Sequence, residues 1–143
     1  MLKSSILRAF QANESTLSKI QLTDDGSAQY VLLTECQNRV MSIDEDFLQI
    51  ITREEKKPFS IWKGELMRVF IIHHEKQTRL LLMAHHLVGD GMSLIYFAQD
   101  IMQALNSSAA LPFKPLHLLT PDAAPLKDAL PLPGNMVFLL PVL

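Results

Sequence analysis

The chain has 143 residues, of which 48% are hydrophobic and 20% are charged, and its formal net charge is −2. This composition indicates one folded domain and excludes a disordered chain, which would need low hydrophobicity and a large net charge. We expect no nucleic-acid partner, because a balanced charge supplies no basic surface for a phosphate backbone. One cysteine excludes an intramolecular disulfide, and neither a signal peptide nor a membrane span is visible. A cytoplasmic protein is therefore expected.

Three elements are predicted in the first third of the chain. Residues 3–12 suit a short helix with its apolar side chains on one side. Two short apolar runs, residues 17–22 and 29–34, flank an Asp-Gly turn and predict a β-hairpin. Ser42 and Glu45 have the spacing of a capping box, which predicts a helix. That helix is expected to end near residue 54 and to bury the side chains of Phe47, Leu48 and Ile51.

The middle of the chain predicts a strand, a tight loop and a helix. Residues 66–74 and 79–85 are rich in large apolar and β-branched side chains, and a polar segment joins them. Because both runs are apolar on both faces, we expect them to be central strands of a sheet. From Gly91 the apolar spacing becomes that of a buried amphipathic helix. Its stripe comprises Leu94, Phe97, Ala98, Ile101, Met102 and Leu105.

The loop with the sequence HHLVGDG, residues 85–91, carries the candidate chemistry. Successive strand residues point to opposite faces, so His85 and His86 cannot perform the same task. An imidazole suits removal of a proton from a hydroxyl or an amine near neutral pH, which makes one of the pair a candidate general base. The glycines allow a tight turn that brings Asp90 to the start of the helix, where its carboxylate can cap free N–H groups.

An arginine in the first of the two central strands needs a charged partner. Arg68 lies mid-strand, where an unpaired guanidinium would be costly to bury. Asp90 follows the neighbouring strand of the same hairpin. We therefore predict an Arg68–Asp90 ion pair that locks the histidine loop in place.

The sequence HHLVGDG resembles the HHxxxDG signature of the condensation-domain superfamily. This superfamily includes nonribosomal peptide condensation domains, alcohol acetyltransferases and chloramphenicol-acetyltransferase-like enzymes. Residues 58–61 and 64–68 are similar to the family's PFDL and GPLxR stretches, with Ser60 for the Asp and Glu65 for the Pro. The resemblance covers roughly residues 3–105. It implies an α/β fold, an α+β sandwich of the chloramphenicol-acetyltransferase type, with a mixed or mostly antiparallel sheet covered by helices.

The resemblance implies acyl transfer from a pantetheine thioester, on coenzyme A or a carrier protein, to an amine or a hydroxyl. It makes His86 the general base, His85 a structural histidine, and Asp90 the carboxylate that positions the loop with Arg68 as its partner. It places Gly91 beside the reacting centre, where an N–H at a helix start is a candidate oxyanion donor. No metal and no tightly bound cofactor are implied.

The family fold has two similar halves, and residues 1–105 correspond to the N-terminal one. Seven of the eight prolines lie beyond residue 106, so we predict that residues 106–143 form a crossover toward a missing C-terminal half. The apolar end, residues 136–143, indicates an excised or shortened chain. We therefore expect the isolated chain to be inactive, and to bind the missing half or a second copy through an exposed apolar face.

Two alternatives accompany this interpretation. A non-catalytic half-domain could still bind a pantetheine arm or a protein partner. A zinc site is disfavoured, because adjacent histidines point apart and the two ends of the hairpin are opposite. That site would use His73, His74, His85, His86 and Asp90.

Overall fold

The computed structural model describes residues 1–116 and 135–142, and it begins with a helix and a hairpin. Helix α1 (Leu2–Ala12) buries Ile6, Ala9 and Phe10 along one face. Strands β1 (Ser18–Leu22) and β2 (Ala28–Leu32) pair antiparallel and form a separate two-stranded sheet. The helix and the hairpin predicted for this region are confirmed.

A four-stranded sheet forms the centre of the fold. Strands β3 (Arg39–Ile43), β4 (Met67–His74), β5 (Gln77–His85) and β6 (Asn135–Val142) lie side by side in this order. β3 is parallel to β4, whereas the β4–β5 and β5–β6 pairs are antiparallel. The sheet is therefore mixed, and β4 and β5 occupy its centre as their apolar sequences predict.

Helices cover both faces of the central strands. One face of β4 and β5 packs against α1 and α3 (Gly91–Asn106), whereas the other packs against α2 (Phe47–Glu54) and Phe59. Each face is apolar because alternate residues of a strand point to opposite sides. The expected α/β class, with a mixed sheet covered by helices, is confirmed. The faces share no side chain on these strands: Val69, Ile71, Leu80 and Leu82 lie on the first, and Phe70, Ile72, Leu81 and Met83 on the second.

The start of α2 differs from the prediction. Ser42 lies in β3, where its Oγ is 2.6 Å from His73 Nε2, and it caps no helix. Asp46 is the N-cap residue of α2, and its side chain makes no capping hydrogen bond. Leu48 is 59% exposed, and Ile50 takes the fully buried position instead. The predicted capping box was wrong, because Ser42 pairs with Ile71 of β4 and Glu45 forms an ion pair with Arg53.

The apolar end of the chain supplies β6, which was not predicted. Its register with β5 runs from Thr78 opposite Val142 to His85 opposite Asn135. Leu139 packs against the cluster that contains Phe59 and Ile50. Residues 117–134 of the predicted crossover lie outside the described residues. In the part of the chain that is described, no helix is both long and apolar enough to cross a membrane.

Candidate active site

The histidine loop, residues 85–91, connects β5 to α3. β5 ends at His85, whose N–H donates to the Leu66 carbonyl at 2.9 Å, and residues His86–Val88 then form one turn of 3₁₀ helix. Gly89 follows with a positive φ of 152°, and a Cβ on this residue would overlap the Ser93 hydroxyl. Only glycine satisfies both conditions, so the sharp step from the turn into α3 depends on it.

His85 is held inside the loop. Its Nδ1 accepts a hydrogen bond from the Leu87 N–H at 3.2 Å, which leaves the proton of the neutral ring on Nε2. The ring meets Phe59 edge to face, with centroids 6.1 Å apart and planes at 82°. Burial lowers the pKa of His85, and the neighbouring charge of His86 lowers it further. These contacts hold the ring within the loop, and the structural role that the resemblance implies for His85 stays a prediction.

His86 is the accessible imidazole of the pair. It does not continue the strand, because the 3₁₀ turn begins at this residue and swings its side chain into an exposed position. Within residues 1–116 and 135–142, no hydrogen bond or ion pair engages its ring. The two histidines therefore differ in position as expected. The 3₁₀ turn causes this difference, and not the alternation of side chains along a strand. Among the described residues, nothing covers the His86 ring, and its side chain is exposed.

Asp90 caps α3 as predicted. Its Oδ1 accepts from the Ser93 N–H at 2.9 Å and from the Ser93 hydroxyl at 3.0 Å. The Asp90 N–H donates to the Ser93 Oγ at 3.3 Å, which completes a reciprocal capping box. The hydrogen bonds from the backbone and the side chain of Ser93 lower the pKa of Asp90. The carboxylate is therefore charged, and its Oδ1 holds the start of the helix.

The predicted Arg68–Asp90 ion pair is wrong. Arg68 is 2% exposed, and its Nη2 lies 2.6 Å from Glu65 Oε1 and its Nη1 3.5 Å from Glu54 Oε2. The guanidinium also donates to the backbone carbonyls of Lys57 and Pro58 at 2.9 and 2.8 Å. The reason is register: the residue opposite Arg68 is Met83, which lies on the sheet face toward α2. Asp90 lies beyond the end of β5, at the N-cap of α3.

Phe59 links Arg68 to the histidine loop. The guanidinium carbon of Arg68 lies 4.3 Å from the centroid of the Phe59 ring, a cation–π distance, and His85 contacts the same ring by its edge. Phe59 is 8% exposed. Arg68 therefore supports the loop through an aromatic side chain and not through a carboxylate.

Two residues that the sequence reasoning missed also position this region. Tyr30 of β2 donates its phenolic hydrogen to the Leu87 carbonyl at 2.8 Å. Asn38 is buried, and its Oδ1 accepts from the N–H groups of Leu66 and Met67 at 2.8 Å each. No local pattern marks either residue, because each acts on a segment at least 28 residues away.

The remaining sequence candidates occupy open positions. Gly91 opens α3, and a Cβ at this residue would meet nothing within 4 Å, so space remains beside its backbone. Its role as an oxyanion donor stays a prediction. His73 and His74 are exposed at the far end of the β4–β5 hairpin. Among the described residues, no group of three or more His, Cys, Asp or Glu side chains is arranged to hold a metal ion.

Comparison with known proteins gives one family and several similar folds. The condensation-domain family model matches residues 2–117. The condensation domain of the monacolin K polyketide synthase MokA superposes with a TM-score of 0.63 at 13% identity. SgcC5 from Streptomyces globisporus gives 0.55 at 18%, and the epimerization domain from the third module of tyrocidine synthetase B gives 0.59 at 20%. No curated protein matches the sequence.

The match covers most of this chain but a minor part of each structure. It includes 79%, 81% and 78% of the chain, respectively, and 27%, 28% and 30% of the MokA, SgcC5 and tyrocidine synthetase structures. The chain therefore spans less than a third of the length of these solved structures. At these identities the likeness shows a shared fold.

Proposed function

Because the chain belongs to the condensation-domain family, we propose that it is the N-terminal part of an acyltransferase in which His86 is the general base. The observation that carries this proposal is the exposed imidazole of His86 on a loop that His85 and Asp90 hold from both sides. A general base must reach the proton that it removes, and an unengaged, accessible ring meets that requirement. His85 is half-buried and bonded within the loop, so it does not compete for the role.

The proposed reaction moves an acyl group from a pantetheine thioester, on coenzyme A or a carrier protein, to an amine or a hydroxyl. The acceptor passes its proton to His86 while its nitrogen or oxygen bonds to the thioester carbonyl carbon. The carbon–sulfur bond then breaks, and the leaving thiolate takes the proton back from His86. The N–H of Gly91, at the N-terminus of α3, is the proposed donor to the oxygen that becomes negative in between.

One substitution tests the base. We expect His86→Ala, made in the natural full-length protein, to lower kcat for thiol release at least about 100-fold, the usual size of general-base catalysis. The donors are acetyl-coenzyme A and an acetylated carrier protein, and the acceptors are benzylamine and benzyl alcohol. His74→Ala removes an exposed imidazole from the opposite end of the hairpin and should leave kcat unchanged. A His86→Ala enzyme that keeps half of its kcat contradicts the assignment.

A non-catalytic binding module is the second candidate. The share of the solved structures that this chain spans, 27–30%, supports it, because a partial fold can retain a binding surface without a complete reaction site. The same assay separates the two. If the wild-type protein releases no thiol with either donor and either acceptor, the transferase proposal fails and the binding module remains.

A further inference from the structure

Tyr30 connects the small β1–β2 sheet to the histidine loop. Its hydroxyl donates to the Leu87 carbonyl at 2.8 Å, across 57 residues of sequence. Burial raises the pKa of Tyr30, so the phenol keeps its proton and stays a donor throughout the physiological range. Leu87 is the residue directly after His86, in the same 3₁₀ turn. The hydrogen bond therefore acts on the peptide group next to the proposed base.

The Leu87 carbonyl has no partner in its own turn. In a 3₁₀ helix a carbonyl accepts from the N–H three residues later, which here belongs to Asp90. That N–H donates to the Ser93 Oγ instead, because Asp90 begins the capping box of α3. The cap that positions Asp90 thus frees the carbonyl beside His86, and Tyr30 supplies the missing donor from another sheet.

The hairpin that carries Tyr30 is itself fixed. The Ile20 N–H, on the strand opposite Tyr30, donates to the Ile61 carbonyl at 3.0 Å. Gly64 has a positive φ of 95°, and a Cβ at this position would overlap the Leu33 side chain, so the backbone here lies directly against the end of β2. The hydroxyl of Tyr30 is therefore held at a fixed place relative to the segment that enters β4.

We propose that Tyr30 is a positioning residue for His86: its hydrogen bond to the Leu87 carbonyl fixes the 3₁₀ turn and thereby the direction of the His86 imidazole. The role in positioning the turn stands on geometry alone, and its consequence for turnover rests on the proposed function of His86. Tyr30 acts through the backbone and touches no reacting atom. Its loss should therefore affect the rate of the chemical step more than the binding of substrate.

The test compares Tyr30→Phe with Thr23→Val in the natural full-length protein. Tyr30→Phe removes one hydroxyl and keeps the aromatic ring. Thr23→Val removes a hydroxyl from the exposed tip of the same hairpin, where Thr23 bonds to Ser27 of the turn. The first readout is hydrogen exchange of a peptide that contains residues 85–91. The second is kcat and KM for thiol release with acetyl-coenzyme A and benzylamine or benzyl alcohol, whichever acceptor the wild type uses.

We expect Tyr30→Phe to accelerate exchange of the peptide that contains residues 85–91 by about fivefold to tenfold, the factor that loss of one hydrogen bond gives. We expect kcat to fall by a similar factor, with KM changed less than about twofold because no substrate contact is lost. Thr23→Val should change none of these quantities. The thermal midpoint Tm is measured for both, because a merely structural role would lower Tm without changing kcat.

The outcomes separate this inference from the proposed function. An active wild type whose exchange and kcat are unaffected by Tyr30→Phe overturns the positioning role and leaves His86 as the base. Faster exchange in Tyr30→Phe, together with a wild type that releases no thiol, upholds the hydrogen bond as the constraint on the turn and refutes the acyl transfer. Equal acceleration of exchange by Thr23→Val overturns the inference, because the hairpin as a whole would then be responsible.

Discussion

The Arg68 cluster and the histidine loop come from neighbouring strands but solve opposite problems. The Arg68 cluster, which comprises Arg39, Glu54, Glu65 and Arg68, buries charge: Arg68 and Glu54 are 2% and 3% exposed. The histidine loop presents an exposed imidazole, and the Asp90 carboxylate accepts its hydrogen bonds from Ser93 in the first turn of α3. The cluster needs many partners because buried ions are costly, whereas the base needs to be free.

The residues that stabilise the fold and the residue proposed for the chemistry therefore lie in different places. The pairs that stabilise the fold lie on the sheet face toward α2, and the proposed base lies beyond the end of β5. Phe59 is the physical connection, since it contacts Arg68 on one side and His85 on the other. Changes in the cluster should therefore appear first in stability, and changes in the loop first in activity or local order.

The largest expected effect on stability comes from Arg68→Ala. Removal of the guanidinium leaves two carboxylates, Glu54 and Glu65, close together without their shared buried cation. We expect the free energy of unfolding to fall by about 3–5 kcal/mol, as for other broken buried ion pairs. Urea denaturation followed by circular dichroism measures it. Arg53→Ala, which removes an exposed arginine that also contacts Glu54, should cost much less because solvent screens that pair.

A smaller effect is expected at Asp90. Asp90→Ala removes both hydrogen bonds that the carboxylate accepts at the start of α3 and should lower Tm by about 3 °C, as loss of one helix cap does in a chain of this size. Asp90→Asn keeps an acceptor oxygen and should leave Tm nearly unchanged. This pair of variants also tests the register argument. If Asp90→Asn destabilises as strongly as Arg68→Ala, a buried ion pair between the two residues exists after all.

The elements that could be predicted from sequence are those with a strong local signal. β4, β5 and α3 have long apolar patterns of the right period, so their existence, order and central position followed directly. The Asp90 cap also followed, because a carboxylate between two glycines at a helix start has few other roles. The loop HHLVGDG, together with residues 58–61 and 64–68, indicated the family, and a family match over residues 2–117 confirms it.

The elements that escaped prediction depend on partners distant in sequence. β3 is a strand because it lies parallel to β4, with Ser42 opposite Ile71. The five residues of β3 do not by themselves indicate this pairing. Arg68 pairs with Glu65, three residues before it in the sequence, and not with Asp90 across the hairpin. Whether Arg68 contacts Glu65 or Asp90 depends on the sheet face on which the strand register places its side chain. Sequence separation does not reveal that face.

The smallest expected effect is on the pH dependence of stability, which differs between the histidine loop and the Arg68 cluster. The pKa of His85 is lowered from 6.5 by burial and then by the charge of His86, so between its folded and unfolded values the unfolded chain binds more protons. Stability is therefore full above pH 6.5 and declines as the pH falls below it. At Glu54, burial raises the pKa, but hydrogen bonds from Lys57 and Arg53 outweigh it and hold the pKa below 4.5.

Stability that depends on Glu54 is consequently present above pH 4.5 and is lost as the pH falls below it, in a separate window. Urea denaturation at intervals from pH 8 to pH 3.5 should show both declines, the first one small because the His85 ring is half-buried and partly screened. His85→Gln retains an acceptor for the Leu87 N–H but cannot gain a proton, so it should flatten only the decline below pH 6.5. His74→Ala, at the exposed end of the hairpin, should leave both declines in place. If His85→Gln leaves the upper decline unchanged, another group is responsible for it, and the loop does not hold His85 as a neutral ring.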